Sequence, residues 1–292
     1  MHETILPFIQ DETSTLKTVV LGHSLDKSPV KHINNPKYAE TLEQGKEASD
    51  EQLMKEIEGF AELLDKHGVK VLRPENVKGC TQIFPRDIGF VIDDVFVVAN
   101  MFFENRNCEF SGINKLVEQF PRVLHPPADV QVEGGDVVLC GDIIFVGIGQ
   151  RTNFNAVEFL QTNFKDKTII PLHLVVTNDA NTNILHLDCA FQPVGGDNLI
   201  IYEEGLKEIP EVLSDIFPDQ KRIKVSQKEM YDMVPNIFSI ATDKVVIEEK
   251  FSRLSKELVK RNIEPLPLAY HGVSRLGGLL RCSTLPLERV RN

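Results

Sequence analysis

Four segments of this chain follow one plan, and that plan restricts the fold more than any other feature of the sequence. Each is a pair of β-type runs joined by a tight turn: Ile88–Asn100 turning at Asp93-Asp94, Asp136–Ile148 at Gly141-Asp142, Cys189–Tyr202 at Gly195-Gly196-Asp197, and Ile237–Glu248 at Thr242-Asp243. Val, Ile and Phe fill the flanks and Gly or Asp the tips, as short hairpins require. After each hairpin the apolar residues take helical spacing, over Gly112–Phe120, Asn153–Phe164, Leu206–Phe217 and Lys250–Arg261. A short closing strand then follows, near Arg122–Leu124, Thr168–Leu172, Arg222–Val225 and Ile263–Leu266.

An earlier helix, Ser49–His67 with Gly68 as its C-cap, runs into a strand at Val69–Leu72 but has no hairpin ahead of it. The runs Thr18–Gly22 and Leu279–Leu285 are placed to supply one strand from each chain end. That makes five ββαβ units at a period of roughly fifty residues. The expected fold is α/β, a five-bladed α/β propeller with pseudo-fivefold symmetry, with residues 1–292 forming a single catalytic domain. A plain α+β sandwich is the alternative. At 292 residues and 42% hydrophobic, the chain is long enough to bury a full core.

In a closed radial array, equivalent positions of successive units converge near the axis. Asp87, Glu133, Asp136, His186, Asp188 and Cys282 all stand at or just before the first strand of a unit. Convergence would bring a thiol, an imidazole and several carboxylates to one end of a central cavity. Each residue also has a plainer reading. Cys282, in Gly277-Gly278-Leu279-Leu280-Arg281-Cys282-Ser283-Thr284-Leu285-Pro286-Leu287, is a small buried apolar residue or a nucleophile whose thiolate Arg281 favours. His186-Leu187-Asp188, read as a strand, projects its imidazole and carboxylate to one side. It is a core histidine beside a solvated aspartate, or a base with an acid. Glu133-Gly134-Gly135-Asp136 is a bulge, or it brings Glu133 to orient His186. Phe84-Pro85-Arg86-Asp87 is a strand entry with an internal ion pair, or it supplies Asp87 to hold, with Asp188, a planar cation in bidentate fashion.

The formal charge is −11, from 32 basic and 43 acidic residues, which argues against nucleic acid and anionic membranes as partners. The sequence has no apolar run long enough to span a bilayer, and its first residues do not read as the n- and h-regions of a signal peptide, so no secretory leader is expected. Five cysteines without paired metal-ligand spacing read as reduced thiols of a cytoplasmic protein. Neither a metal nor a cofactor is expected.

Together the motifs resemble the guanidine-modifying superfamily of arginine deiminase, dimethylarginine dimethylaminohydrolase and the amidinotransferases. The resemblance rests on Arg86-Asp87, Glu133–Asp136, His186–Asp188 and the Gly-Gly…Arg-Cys-Ser-Thr-Leu-Pro-Leu run ending at Leu287, in the family's order over some two hundred residues. It implies a five-bladed α/β propeller with Cys282, His186 and Glu133 as catalytic residues and Asp87 and Asp188 around the substrate's guanidinium. Arg106 in Arg106-Asn107-Cys108-Glu109 and Arg151 in Gly149-Gln150-Arg151-Thr152 resemble the deiminase arginines that hold the substrate α-carboxylate. The implied activity is hydrolysis of a guanidino C–N bond through a covalent amidino-cysteine, on a small guanidino or ureido amino acid. Amidino transfer to an amine and hydrolysis of a citrulline-type ureido group are the alternatives. A non-catalytic propeller like the ribosome anti-association factor is a reading from another class, and a homo-oligomer is left open. The chain departs from the deiminases in lacking room for their inserted helical domain and in carrying Cys189, where threonine is frequent.

Overall fold

The computed structural model describes residues 5–27 and 35–291. They form five three-stranded sheets. Their strands are β1 (Thr15–Leu21), β2 (Lys70–Leu72), β3 (Gly89–Ile92), β4 (Val95–Val98), β5 (Val123–Leu124), β6 (Val137–Cys140), β7 (Ile143–Ile148), β8 (Thr168–His173), β9 (Phe191–Val194), β10 (Asn198–Ile201), β11 (Arg222–Lys224), β12 (Phe238–Ala241), β13 (Lys244–Glu248), β14 (Glu264–Leu268) and β15 (Thr284–Val290). In four sheets, β3-β4-β5, β6-β7-β8, β9-β10-β11 and β12-β13-β14, the first two strands pair antiparallel and the third lies parallel to the second. The remaining sheet has the same plan but takes its hairpin from both chain ends: β15 pairs antiparallel with β1, and β2 lies parallel to β1. The four hairpins and their turns stand where the sequence pattern put them.

Helix Asp50–Lys66 shows how the sheets are covered. Ser49 caps it by accepting from the Gln52 N–H, Asp50 and Glu51 occupy its first turn, and Gly68 at φ +75° ends it. Leu53, Ile57, Phe60 and Leu64, spaced along one face, are buried. Phe60 meets the edges of Phe238 and Tyr270 at centroid distances of 6.1 and 5.5 Å, so truncating it should cost about 3–5 kcal/mol. Among the described residues no helix is long and apolar enough to cross a membrane.

Three expectations need correction. The run Gly112–Phe120 is not one helix: turns Cys108–Ser111 and Asn114–Val117 stand on either side of Gly112, a poor helix former. Leu206–Phe217 contracts to Glu211–Ile216, because Pro210 holds an extended backbone just ahead of it. The last strand begins at Thr284, not Leu279; residues 279–283 turn, since the N–H groups of Leu279, Leu280, Arg281 and Cys282 bond Asn236 rather than a neighbouring strand.

Candidate active site

The motifs meet because successive strand entries are stitched together. Arg86 N–H donates to the Cys282 carbonyl at 3.2 Å, and Gly134 N–H to the Asp87 carbonyl at 3.2 Å. Leu187 N–H donates to Asp136 Oδ1 at 2.9 Å, and Asn236 Nδ2 to the Asp188 carbonyl at 3.4 Å. Asn236 also holds the cysteine loop, so the chain of bonds closes on itself. Asp136 is one of these ties; burial raises it to about 7 against the pull of His186 and its hydrogen bonds.

Residues 187–189 and 134–136 are 3₁₀ turns, so the expectation that His186 and Asp188 project side by side from a strand is wrong. The two side chains diverge. His186 Nε2 lies 2.8 Å from Glu133 Oε2 with both side chains fully buried, and its Nδ1 faces Asp87 Oδ1 at 3.6 Å. Gly135 makes this possible: a Cβ there would lie 2.7 Å from His186 Cγ and 3.0 Å from Asp87 Oδ1. Burial works against the imidazolium, but Asp87, Asp136 and Glu133 outweigh it and raise His186 to about 9. Burial likewise opposes the Glu133 charge, yet the bond from His186, with Arg151 and Arg106 behind it, holds that carboxyl at about 2.

Asp188 turns toward Arg281 and the thiol. Arg281 Nη1 donates to Asp188 Oδ2 at 2.8 Å, Nη2 to Glu12 Oε1 at 2.9 Å and to the Val137 carbonyl at 2.9 Å. The expectation that Arg281 favours the thiolate therefore fails: its guanidinium is bound to two carboxylates. Burial, followed by Asp188 and Asp87, pushes the Cys282 thiol well up, and Cys282 Sγ sits 3.7 Å from Asp188 Oδ2. The Arg86–Asp87 ion pair is absent as well; Arg86 Nε donates to the Arg281 carbonyl.

Asp87 accepts instead from Arg106 Nη1 at 2.9 Å, while Arg106 Nε and Nη2 grip Glu109 at 2.6 and 2.8 Å. Arg151 is buried, stacks over the Phe103 ring at 4.4 Å and donates to Glu133 Oε2 at 3.4 Å. Cys282, His186, Asp87, Arg106 and Arg151 line one cavity of about 270 Å³ with Phe84, Gly278 and Cys80. Cys80 is paired with Cys108 in a disulfide, which corrects the expectation of five reduced thiols; Cys140, Cys189 and Cys282 are free. Sequence spacing gave no reason to pair Cys80 with Cys108, since a separation of 28 residues carries no pairing signal.

Asp87, Glu133 and His186 offer donor atoms within 4.8 Å of one another, the group among the described residues that could hold a metal ion. A cation there would have to displace Arg106 and Arg151, which already serve those carboxylates. Two participants escaped the sequence reading, Glu12 and Asn236. Glu12 lies outside every motif and is identified only by its bond with Arg281, whereas Glu109 closes the Arg106–Glu109 run, where the sequence reading gives it no role, and holds Arg106. Asn236 was detectable, since it stands just before the first strand of the hairpin Ile237–Glu248, the position that singled out the others.

The five repeated sheets and the buried Cys, His and carboxylate set define a class: the guanidine-modifying enzymes. A family model described as N,N dimethylarginine dimethylhydrolase, eukaryotic, matches residues 30–289, and the chain belongs to that family. The chain is 29% identical over 235 residues to the uncharacterized protein YkgA of Bacillus subtilis, covering 79% of this chain and 78% of that one. It is 24% identical over 299 residues to arginine deiminase of Streptococcus sanguinis, covering 82% and 73%. The fold matches SxtG, an amidinotransferase from Microseira wollei in the saxitoxin biosynthetic pathway, with TM-score 0.79, 19% identity and 98% of both chains covered.

Proposed function

We propose that this protein is a hydrolase of the guanidino C–N bond of free arginine or an arginine derivative, acting through a covalent amidino-cysteine on Cys282. The observation that carries the reading is the single cavity in which the Cys282 thiol, the His186 imidazole, the Asp87 carboxylate and two arginines meet. The similarity to a deiminase supports arginine as the core of the substrate. The five sheets, one of them made from both chain ends, support a closed five-bladed array with pseudo-fivefold symmetry forming one catalytic domain.

The electrostatics suit a cationic substrate. With the thiol pushed up by burial and two carboxylates, and His186 held as imidazolium, the empty site is poised with both protons in place. A guanidinium entering beside Asp87 and Asp188 adds positive charge next to Sγ, and the thiol loses its proton to solvent. The thiolate attacks the guanidino carbon. His186 gives its proton to the departing nitrogen, the C–N bond breaks, and an amidino-cysteine remains. Neutral His186 then takes one proton from water as the oxygen attacks; as the C–S bond breaks, the remaining hydroxyl proton passes to the sulfur, and a ureido product is released with the thiol and the imidazolium restored. Arg106 and Arg151 line the same cavity, where the substrate α-carboxylate would compete with Asp87, Glu109 and Glu133 for them.

An amidinotransferase would pass the same intermediate to an amine, and the resemblance to such an enzyme keeps that alternative in view. Quenched reactions with arginine, methylated arginines, agmatine, guanidinoacetate and citrulline, read by product analysis and by the mass of the Cys282 peptide, test the assignment. The adduct should form with a guanidino amino acid and decay in water; an adduct that persists until amine is added overturns hydrolysis.

A further inference from the structure

One buried side chain outside the known motifs controls the cysteine loop. The N–H groups of Leu279, Leu280, Arg281 and Cys282 all end on Asn236: Leu279 and Cys282 on Oδ1 at 3.1 Å each, Leu280 and Arg281 on its backbone carbonyl at 3.2 Å each. Two backbone donors on one atom fix the amide orientation, so that atom is the oxygen and the NH₂ group points the other way. There Nδ2 donates to Cys282 Sγ at 3.2 Å and to the Asp188 carbonyl at 3.4 Å. Asn236 is fully buried.

The sulfur thus has two polar neighbours of opposite sense. Asp188 Oδ2, at 3.7 Å, attracts the S–H but repels a thiolate. The Asn236 amide strengthens its bond when the sulfur becomes charged, because charge-assisted hydrogen bonds are the stronger ones. We propose that Asn236 is a positioning residue for the nucleophile: its oxygen and carbonyl fix the loop, and its Nδ2–H group stabilises the Cys282 thiolate. The proposal rests on Cys282 being the nucleophile.

Asn236→Asp keeps the acceptor for Leu279 and Cys282 and replaces the donor to sulfur by a carboxylate oxygen, which removes the stabilisation of the thiolate and adds a repelling charge beside Sγ. The pH dependence of Cys282 alkylation by iodoacetamide, followed on the Cys282 peptide by mass spectrometry, should move its midpoint up by about one pH unit or more. Turnover, read as kcat/KM at neutral pH, should drop by about 10- to 100-fold, chiefly in kcat. A folded Asn236→Asp protein with an unmoved midpoint overturns the proposal. In case the variant does not fold, the unmodified protein gives a second readout: the Asn236 side-chain amide resonance should titrate together with the Cys282 thiol, and an amide signal indifferent to that titration also rejects the idea. Failure of the nucleophile reading looks different, because Cys282→Ser would then retain turnover whatever Asn236→Asp does.

Discussion

His186 Nε2 and Glu133 Oε2 lie 2.8 Å apart with no solvent access to either side chain, and Arg151 and Arg106 approach the same Glu133 oxygen at 3.4 and 3.7 Å. One carboxylate oxygen therefore carries the imidazolium and two guanidiniums. In Glu133→Gln the shape is kept and the charge removed, and turnover should fall by roughly 10²- to 10⁴-fold as His186 loses the carboxylate it is hydrogen-bonded to. Product release measured across pH should also show the loss of protonated His186 at lower pH than in the wild type; an unchanged profile rejects the pairing as catalytic.

The same pair sets a pH dependence. His186 is raised from 6.5 to about 9, so its contribution to stability is complete below pH 6.5 and disappears as pH rises through about 9. Glu133 is lowered from 4.5 to about 2, so its contribution is present above pH 4.5 and is lost as pH falls toward 2. The Tm advantage of wild type over His186→Gln should shrink between pH 6.5 and 9, and kcat/KM should decline above about pH 9. A Tm difference constant over that range would show that the imidazole is not held charged.

Covalent catalysis is tested by Cys282→Ser. With oxygen in place of sulfur, turnover should be lost while the thermal transition stays close to wild type, since one buried atom is exchanged for a smaller polar one. Ammonia or amine release by this variant above background would reject Cys282 as nucleophile.

In the proposed function Arg151 recognises the substrate α-carboxylate. Its loss in Arg151→Ala should raise KM for L-arginine more than for agmatine, which lacks the carboxylate. Equal effects on both compounds would assign Arg151 to supporting Glu133 instead. Arg106→Lys should weaken arginine binding as well, because an ammonium does not reproduce the fork that holds Glu109 and Asp87 together.

The disulfide ties Cys80, on the cavity wall, to Cys108, two residues beyond Arg106. Their separation of 28 residues corresponds to about 3–4 kcal/mol of chain-entropy stabilisation. Denaturant unfolding of Cys80→Ser, or of wild type under reductant, should show a loss of that order. Unchanged unfolding midpoints with and without reductant would mean that the pair does not form in solution.

The sequence by itself determined the repeat and the place of the motifs within it. Runs of Val, Ile and Phe on either side of Gly and Asp tips have few solutions other than hairpins, and the missing fifth hairpin pointed to strands from both ends. Because the repeat aligns strand entries, it also indicated that Asp87, Glu133, His186 and Cys282 would meet. What each side chain faces was decided only by the tertiary structure. His186 and Asp188 diverge because a 3₁₀ turn, not a strand, follows His186, and local periodicity does not distinguish the two over three residues. Arg281 binds Glu12 across 269 residues of chain, and Arg106 takes Asp87 and Glu109 instead of standing free. Ion pairs and the Cys80–Cys108 bond carry no periodic signal; they depend on which loops come within a few ångströms once the sheets are assembled, and burial then decides which protons the site keeps.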